Sequence, residues 1–181
     1  LDEAFLDVGG SKSLFGCAEV IGRRIKQEIK DELHLVASVG VASNKYLAKL
    51  ASDVDKPDGF CIINENEVLS FLEPLPVKRI WGVGQATEKK LTALGVHTIQ
   101  QLKSLTEESL QRLFGKAGTQ MWHLARGLDE REVVPDCRAK SISNEQTFVE
   151  DIEDIGVLCE HLRDLVDQVS QRLRSAGLHA K

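Results

Sequence analysis

Apolar residues recur at three- and four-residue intervals through Ala18, Ile21, Ile25, Ile29 and Leu33, with charged residues between them. This period predicts an amphipathic helix over roughly 14–33. Leu35 to Val41 is a short apolar run ending in small residues and reads as a buried strand. Asn44 to about Val54 reads as a second helix with Leu47, Leu50 and Ala51 inward. The turn Lys56-Pro57-Asp58-Gly59 stops it, and Phe60 to Ile63 reads as another strand. Ala4 to Val8 is also strand-like. Strand, helix, strand, helix, strand predicts a mixed α/β layer that buries one sheet face.

Helical patterns dominate from Asn64 onward. Asn64 and Glu67 have capping-box spacing for a helix from Glu65 to Leu72, which Pro74 and Pro76 end. A short helix near Val77–Ile80 leads into Gly82-Val83-Gly84, and a helix from about Gln85 to Leu94 closes on Gly95. Thr98 with Gln101 predicts another capping box, and Thr106 before Glu107-Glu108 caps a third helix. Phe114-Gly115-Lys116-Ala117-Gly118 echoes the earlier glycine pair before a helix running to Arg126. Residues 128–140 are charged, contain Pro135 and lack a period, so they read as a linker. Ser141 to Val149 then reads as a strand. Ile155, Leu158, Leu162, Leu165, Val169 and Leu173 predict a long helix over Asp154–Ala176. A strand and a helix cannot close a core alone, so this last domain reads as incomplete.

Composition narrows the picture. The chain has 181 residues, 42% hydrophobic and 28% charged, as in ordinary globular proteins. No run approaches the roughly 20 apolar residues of a membrane helix, and no signal peptide is evident. Cys17, Cys61, Cys137 and Cys159 lie far apart without zinc spacing, which predicts reduced thiols in a cytoplasmic protein. The net charge of −5 is unevenly spread. Residues 78–140 carry 11 basic and 7 acidic side chains, or +4, between flanks at −5 and −4. A local basic segment matters more to a phosphate backbone than the total does.

Candidate chemistry sits in three places. Asp2-Glu3 supplies adjacent carboxylates that could hold a divalent metal, although an acidic dipeptide alone is commonly a solvated turn. Lys45 and Lys49 share one helix face, and Lys56 sits in the turn before Pro57; these lysines could meet a phosphate. Ile80-Trp81-Gly82-Val83-Gly84, followed by Leu91 and Gly95-Val96, fits a helix-hairpin-helix element. Its glycines permit close approach of a phosphate to main-chain amides, without base readout. Lys78, Arg79, Lys89 and Lys90 flank it. The plainer reading is a tight turn between packed helices. The five histidines are scattered, and Trp81 and Trp122 read more readily as core than as base-stacking groups.

Together these motifs resemble the Y-family DNA polymerases, most closely the bacterial DNA polymerase IV (ImpB/MucB/SamB-type) branch. Leu1 to Val8 is similar to that family's central palm motif, and Ser38 to Gly59 to its second palm signature. Ile80 to Gly84 sits where the family has its thumb hairpin, with Trp81 in place of a common proline. Lys140 to Glu145, with Thr147-Phe148, is similar to the opening of its little finger.

The resemblance implies an α+β fold. Residues 1–73 would be a partial mixed-sheet palm with helices, and 74–132 a helical helix-hairpin-helix thumb. Residues 133–140 would be a linker, and 141–181 the start of an α/β little finger. It also implies Mg²⁺-dependent nucleotidyl transfer on primer-template DNA from deoxynucleoside triphosphates, of the low-fidelity translesion type, with two ions in the complete site. Asp2 would be a metal ligand, and Glu3 the adjacent catalytic and metal-binding carboxylate. Lys56 would contact the triphosphate. Gly82, Val83 and Gly84 would hold the DNA backbone, with Lys89 adding charge. The chain opens at Leu1 inside a motif and reads as a fragment, so the expectation is that it does not polymerise DNA as given. A sliding-clamp peptide, if there is one, would follow Lys181. Two other readings stay open: a non-catalytic helix-hairpin-helix DNA-binding protein, and a metal-dependent phosphoryl transferase such as a nuclease or nucleotide cyclase.

Overall fold

The computed structural model describes residues 3–135 and 141–179, so the expected roles of Asp2, Cys137 and Lys140 lie outside the described residues. The chain divides into two compact units, Leu1–Val133 and Val134–Lys181.

In the first unit, a short helix α1 (Lys12–Phe15) is broken at Gly16 and followed by α2 (Ala18–Leu33). The single helix expected over 14–33 is thus two. Strand β1 (Val39–Val41), helix α3 (Lys45–Ser52) and strand β2 (Phe60–Ile62) follow. β1 and β2 pair in parallel, Val39 opposite Phe60 and Val41 opposite Ile62, as a strand-helix-strand crossover requires. Gly40 lets this unit close. A Cβ there would lie 2.1 Å from the Ala48 carbonyl oxygen and 2.4 Å from the Ser52 nitrogen, so α3 rests directly on the strand backbone. Asn44 caps α3, its Oδ1 accepting the Leu47 amide at 3.0 Å. Lys26 of α2 donates to the Ala37 and Asp58 carbonyls at 2.9 and 2.8 Å, holding α2 to the segments that lead into the two strands.

One expected strand is missing from this unit and another is shortened. Ala4–Val8 has no strand geometry, and the Leu35–Val41 strand shrinks to its last three residues. Strands exist by pairing, and among the described residues neither segment has a second partner edge. The Asn64 capping box is also not realised. The Glu67 amide bonds the Asn64 carbonyl at 2.9 Å, winding Glu65–Glu67 into a 3₁₀ turn, and the two side chains bond each other at 2.7 Å. Only then does α4 (Val68–Leu72) begin.

Five short elements complete the unit. A 3₁₀ turn, Val77–Arg79, precedes α5 (Gln85–Ala93), α6 (Ile99–Lys103), α7 (Glu107–Phe114) and α8 (Lys116–Leu124). Their ends follow the sequence. Gly95, at φ 77°, closes α5, with Val96 N–H donating to Leu91 O and Gly95 N–H to Thr92 O. Thr98 and Gln101 form a full capping box on α6, and Thr106 caps α7. Leu47, Leu72, Ile80, Leu91, Ile99, Leu102 and Leu110 are all buried in one cluster that runs from α3 to α8. The cluster joins the strand pair to the helices, so the hairpin and the Lys45–Gly59 segment share one core.

In the second unit, Asp154 caps α9 (Ile155–Ser175) by accepting the Gly156 amide at 2.6 Å. The strand expected over Ser141–Val149 does not form; residues 141–148 are coil. Side chains hold this segment to the helix instead. Arg172 donates to the Ser143 carbonyl at 2.9 Å, and Phe148 packs on His161 with centroids 4.8 Å apart. Helices dominate the described residues around one small parallel sheet, in line with an α+β fold. No helix among them is long and apolar enough to cross a membrane.

Candidate functional site

The short extended segment after residue 2 passes the side of α3. The Glu3 carboxylate meets Lys49 Nζ there. Lys49 also lies 3.5 Å from Asp53 Oδ1, one helical turn further on. Asp53 takes two more cations: Lys56 Nζ at 2.6 Å from Oδ1, and Arg79 Nη1 at 3.8 Å from Oδ2. Two carboxylates (Glu3 and Asp53) and three cations (Lys49, Lys56 and Arg79) therefore form one net-positive chain of charges.

Asp53 is the centre of this chain. Burial raises its carboxyl pKa, but the Lys56 and Lys49 ammonium groups outweigh that and hold it below the usual carboxylate range. The hydrogen bond to Glu3 raises Lys49 against partial burial. Both groups thus stay charged across the neutral range. The Glu3 and Lys56 side chains are each about half exposed, so both can reach a ligand. They border an open trough of about 880 Å³, with Ile21, Ile25, Val39 and Val41 along its apolar side.

The hairpin lies next to this site in sequence through Arg79. Gly82 has φ 93°, a conformation that suits glycine. The Val83 amide donates to the Ile80 carbonyl at 3.0 Å and closes the turn, so that N–H is already engaged within the chain. Gly84 stands at the N-cap of α5 in extended geometry, and no side-chain group satisfies the first turn of that helix. A Cβ built at Gly82 or Gly84 meets nothing within 4 Å. The space beside these two residues is open, and the first amides of α5 point from a helix start, where anions are favoured. Lys89 and Lys90 are exposed on the same helix, and Lys78 on the turn before it.

The structure brings together Glu3 and Lys56 through Lys49 and Asp53, a link the sequence did not single out. The signal was present: Asp53 stands four residues after Lys49 and three before Lys56. Arg79 had no comparable signal. Asp7, a third acidic residue of the opening segment, is exposed and accepts the Gly9 amide at 2.9 Å. Among the described residues no three His, Cys, Asp or Glu side chains converge on one point.

A second cluster, missed entirely by sequence patterns, joins the opening segment to the hairpin. Phe5 stacks on Trp81, Arg131 lies over Trp81, and Asp129 grips Arg131. The Asp129 side chain is only 3% exposed and also accepts the Tyr46 amide at 3.1 Å. Burial raises its pKa, but the Arg131 guanidinium and that amide outweigh burial and leave it below the ordinary carboxylate value.

Comparison with known proteins gives a consistent picture. Residues 1–53 match the impB/mucB/samB family, 78–129 the thumb domain described for DNA polymerase-iota, and 139–181 the impB/mucB/samB family C-terminal domain. The DNA polymerase IV of Desulfatibacillum aliphaticivorans is 42% identical over 96% of this chain and 44% of its own length. That of Pseudomonas putida KT2440 is 43% identical over 96% of this chain and 49% of its own length. The chain thus spans about half the length of the curated relatives it matches. Among solved structures, a Y-family DNA polymerase chimera superposes with TM-score 0.76 at 30% identity, covering 92% of this chain and 48% of that one. DinB from Sulfolobus solfataricus superposes with TM-score 0.62 at 32% identity, covering 71% and 38%.

Proposed function

Because this chain belongs to the impB/mucB/samB family of Y-family DNA polymerases, we propose that it supplies carboxylate, nucleotide and DNA contacts to a DNA-directed DNA polymerase of the translesion type. The observation that carries this reading is the junction of Glu3 with Lys56 through Lys49 and Asp53, on a core shared with the hairpin at Gly82–Gly84. Residues 1–73 are assigned to a palm, 74–132 to a thumb, 133–140 to a linker and 141–181 to the start of a little finger.

Primer-template DNA lies against the hairpin. Its phosphates approach through the open space beside Gly82 and Gly84 and accept amides from the start of α5. Val83 fixes the turn through its bond to Ile80, and Lys89 adds sequence-independent attraction. Contacts of this kind ignore base identity, which suits a damaged template. Lys56 neutralises the triphosphate of the incoming deoxynucleotide, in line with its exposed ammonium. Glu3 orients the primer 3′ hydroxyl for in-line attack, and Lys49 holds the Glu3 carboxylate in place.

Glu3 is a hard, half-exposed oxygen donor of the kind Mg²⁺ takes, with Asp2 as the adjoining ligand, and the ion would displace or share the Lys49 ammonium there. When bound, Mg²⁺ supplies phosphate charge neutralisation and a more acidic primer hydroxyl, with two ions in the complete site. Cytoplasmic placement and a sliding clamp as a further partner belong to the same proposal. Co-elution of the purified protein with its clamp would test the latter.

The deciding experiment is primer extension by the gene product that carries this sequence, with Mg²⁺ and four deoxynucleotides, beside Glu3→Ala. Extension by the parent alone supports the reading. If neither extends while both bind primer-template, the protein is a helix-hairpin-helix binding module. Nucleotide hydrolysis without primer would instead favour a different phosphoryl transferase.

A further inference from the structure

The Phe5 and Trp81 rings stack with centroids 5.9 Å apart and planes 20° apart. Each ring also carries a cation. The Arg131 guanidinium lies 4.3 Å from the Trp81 centroid, and Lys45 Nζ 5.1 Å from that of Phe5. Asp129 fixes Arg131 by paired bonds, Nε to Oδ1 at 2.6 Å and Nη2 to Oδ2 at 2.9 Å. Asp129 is itself anchored by the Tyr46 amide at the start of α3. Lys45 reaches the Glu132 carbonyl at 3.3 Å, and Asn44 the Gly127 carbonyl at 2.8 Å.

These contacts sew together four stretches far apart in sequence, at Phe5, Asn44–Tyr46, Trp81 and Gly127–Glu132. Phe5 lies two residues after Glu3, and Trp81 directly precedes Gly82. Arg131 leads out of the first unit. Two simpler purposes fit poorly. Trp81 is 39% exposed, so filling the core does not explain its place. Each ring already has an aromatic partner and a cation, so neither offers a free platform for a nucleobase.

We propose that the Phe5–Trp81–Arg131 stack is a clasp that fixes the hairpin relative to the Glu3 segment, making Trp81 and Arg131 positioning residues for nucleotide insertion. This rests on the polymerase reading above. DNA held at Gly82–Gly84 must present its primer end at Glu3, and small errors in reacting geometry are costly in rate. The Phe5–Trp81 stack is a direct side-chain contact between those two segments. Asp129, bound to α3, sets its register against the helix that carries Lys49 and Asp53.

Two measurements test this. Spin labels at Leu6→Cys and Lys90→Cys, in an otherwise cysteine-free protein, report the segment-to-hairpin distance by pulsed electron paramagnetic resonance. The expected result is one narrow distribution that broadens in Trp81→Ala and narrows again in Trp81→Phe. Equal widths in all three would overturn the clasp, whether or not the protein polymerises DNA. In primer extension, Trp81→Ala and Arg131→Ala should each lower kcat about tenfold while DNA affinity stays within about twofold, with Trp81→Phe largely restored. An unchanged kcat would overturn the positioning role. So would a parallel loss of DNA affinity, which would make Trp81 a DNA contact. Absence of extension by the unmodified protein would sink the polymerase reading and the positioning role with it, and the label distances would still decide whether the clasp exists.

Discussion

Replacing Gly40 with alanine should damage both the fold and the site, because α3 lies directly on the β1 backbone. The added Cβ would sit 2.1 Å from the Ala48 oxygen, 2.4 Å from the Ser52 nitrogen and 2.8 Å from the Ala51 Cβ. A carbon-to-oxygen contact needs about 3.3 Å. The first two atoms are helix backbone, so no rotamer change relieves the clash. Helix α3 must move off the strand by about an ångström, opening the packing of Leu47, Leu50 and Ala51. Overpacking of this kind costs about 3 kcal/mol, the upper end of the usual range. For a chain of this size that lowers Tm by roughly 6–12 °C. Thermal and urea unfolding followed by circular dichroism would measure it. A Tm within about 2 °C of the parent at equal m-value would refute the close-packing argument. Because α3 carries Lys49 and Asp53, the same variant should also lose nucleotide affinity at temperatures where it remains folded.

Gly84→Val provides the opposite test. Its backbone, at φ −88° and ψ 176°, accepts a branched residue and the site around it is empty, so Tm should hold within about 2 °C. Affinity for primer-template should nevertheless fall about tenfold in a fluorescence-anisotropy titration, and unchanged affinity would remove the hairpin from the interface. Lys56→Ala should raise the nucleotide KM about tenfold with DNA Kd within about twofold; an unmoved KM would refute the triphosphate contact. Acid stability should report Asp129. Its folded pKa lies below the unfolded value of about 3.9, so its contribution is complete above that value and is lost as pH falls through the lower, folded pKa. Urea unfolding from pH 7 to 2 should therefore show a loss below about pH 4 that is smaller in Asp129→Asn. Equal acid profiles would mean that the Arg131 pair adds no pH-dependent stability.

Several elements were determined by the sequence alone, because their causes lie within a few residues. Thr98 and Gln101 cap α6 whatever packs against it, Thr106 and Asp154 cap their helices, and Gly95 ends α5 in a left-handed turn. The strands expected at Ala4–Val8 and Ser141–Val149 depended on partners elsewhere, and apolar content alone could not supply a ladder. The Asn64 box failed because the Glu67 amide found the Asn64 carbonyl, three residues away, first. Within the site, the sequence marked Glu3, Lys56 and the glycine hairpin as separate motifs. Only the fold placed Lys49 and Asp53 between the first two, brought Arg79 to Asp53, and set Phe5 and Arg131 against Trp81. Periodicity records how a residue relates to its own helix. Charge pairing and ring stacking between distant segments arise only when a shared core fixes those segments a few ångströms apart.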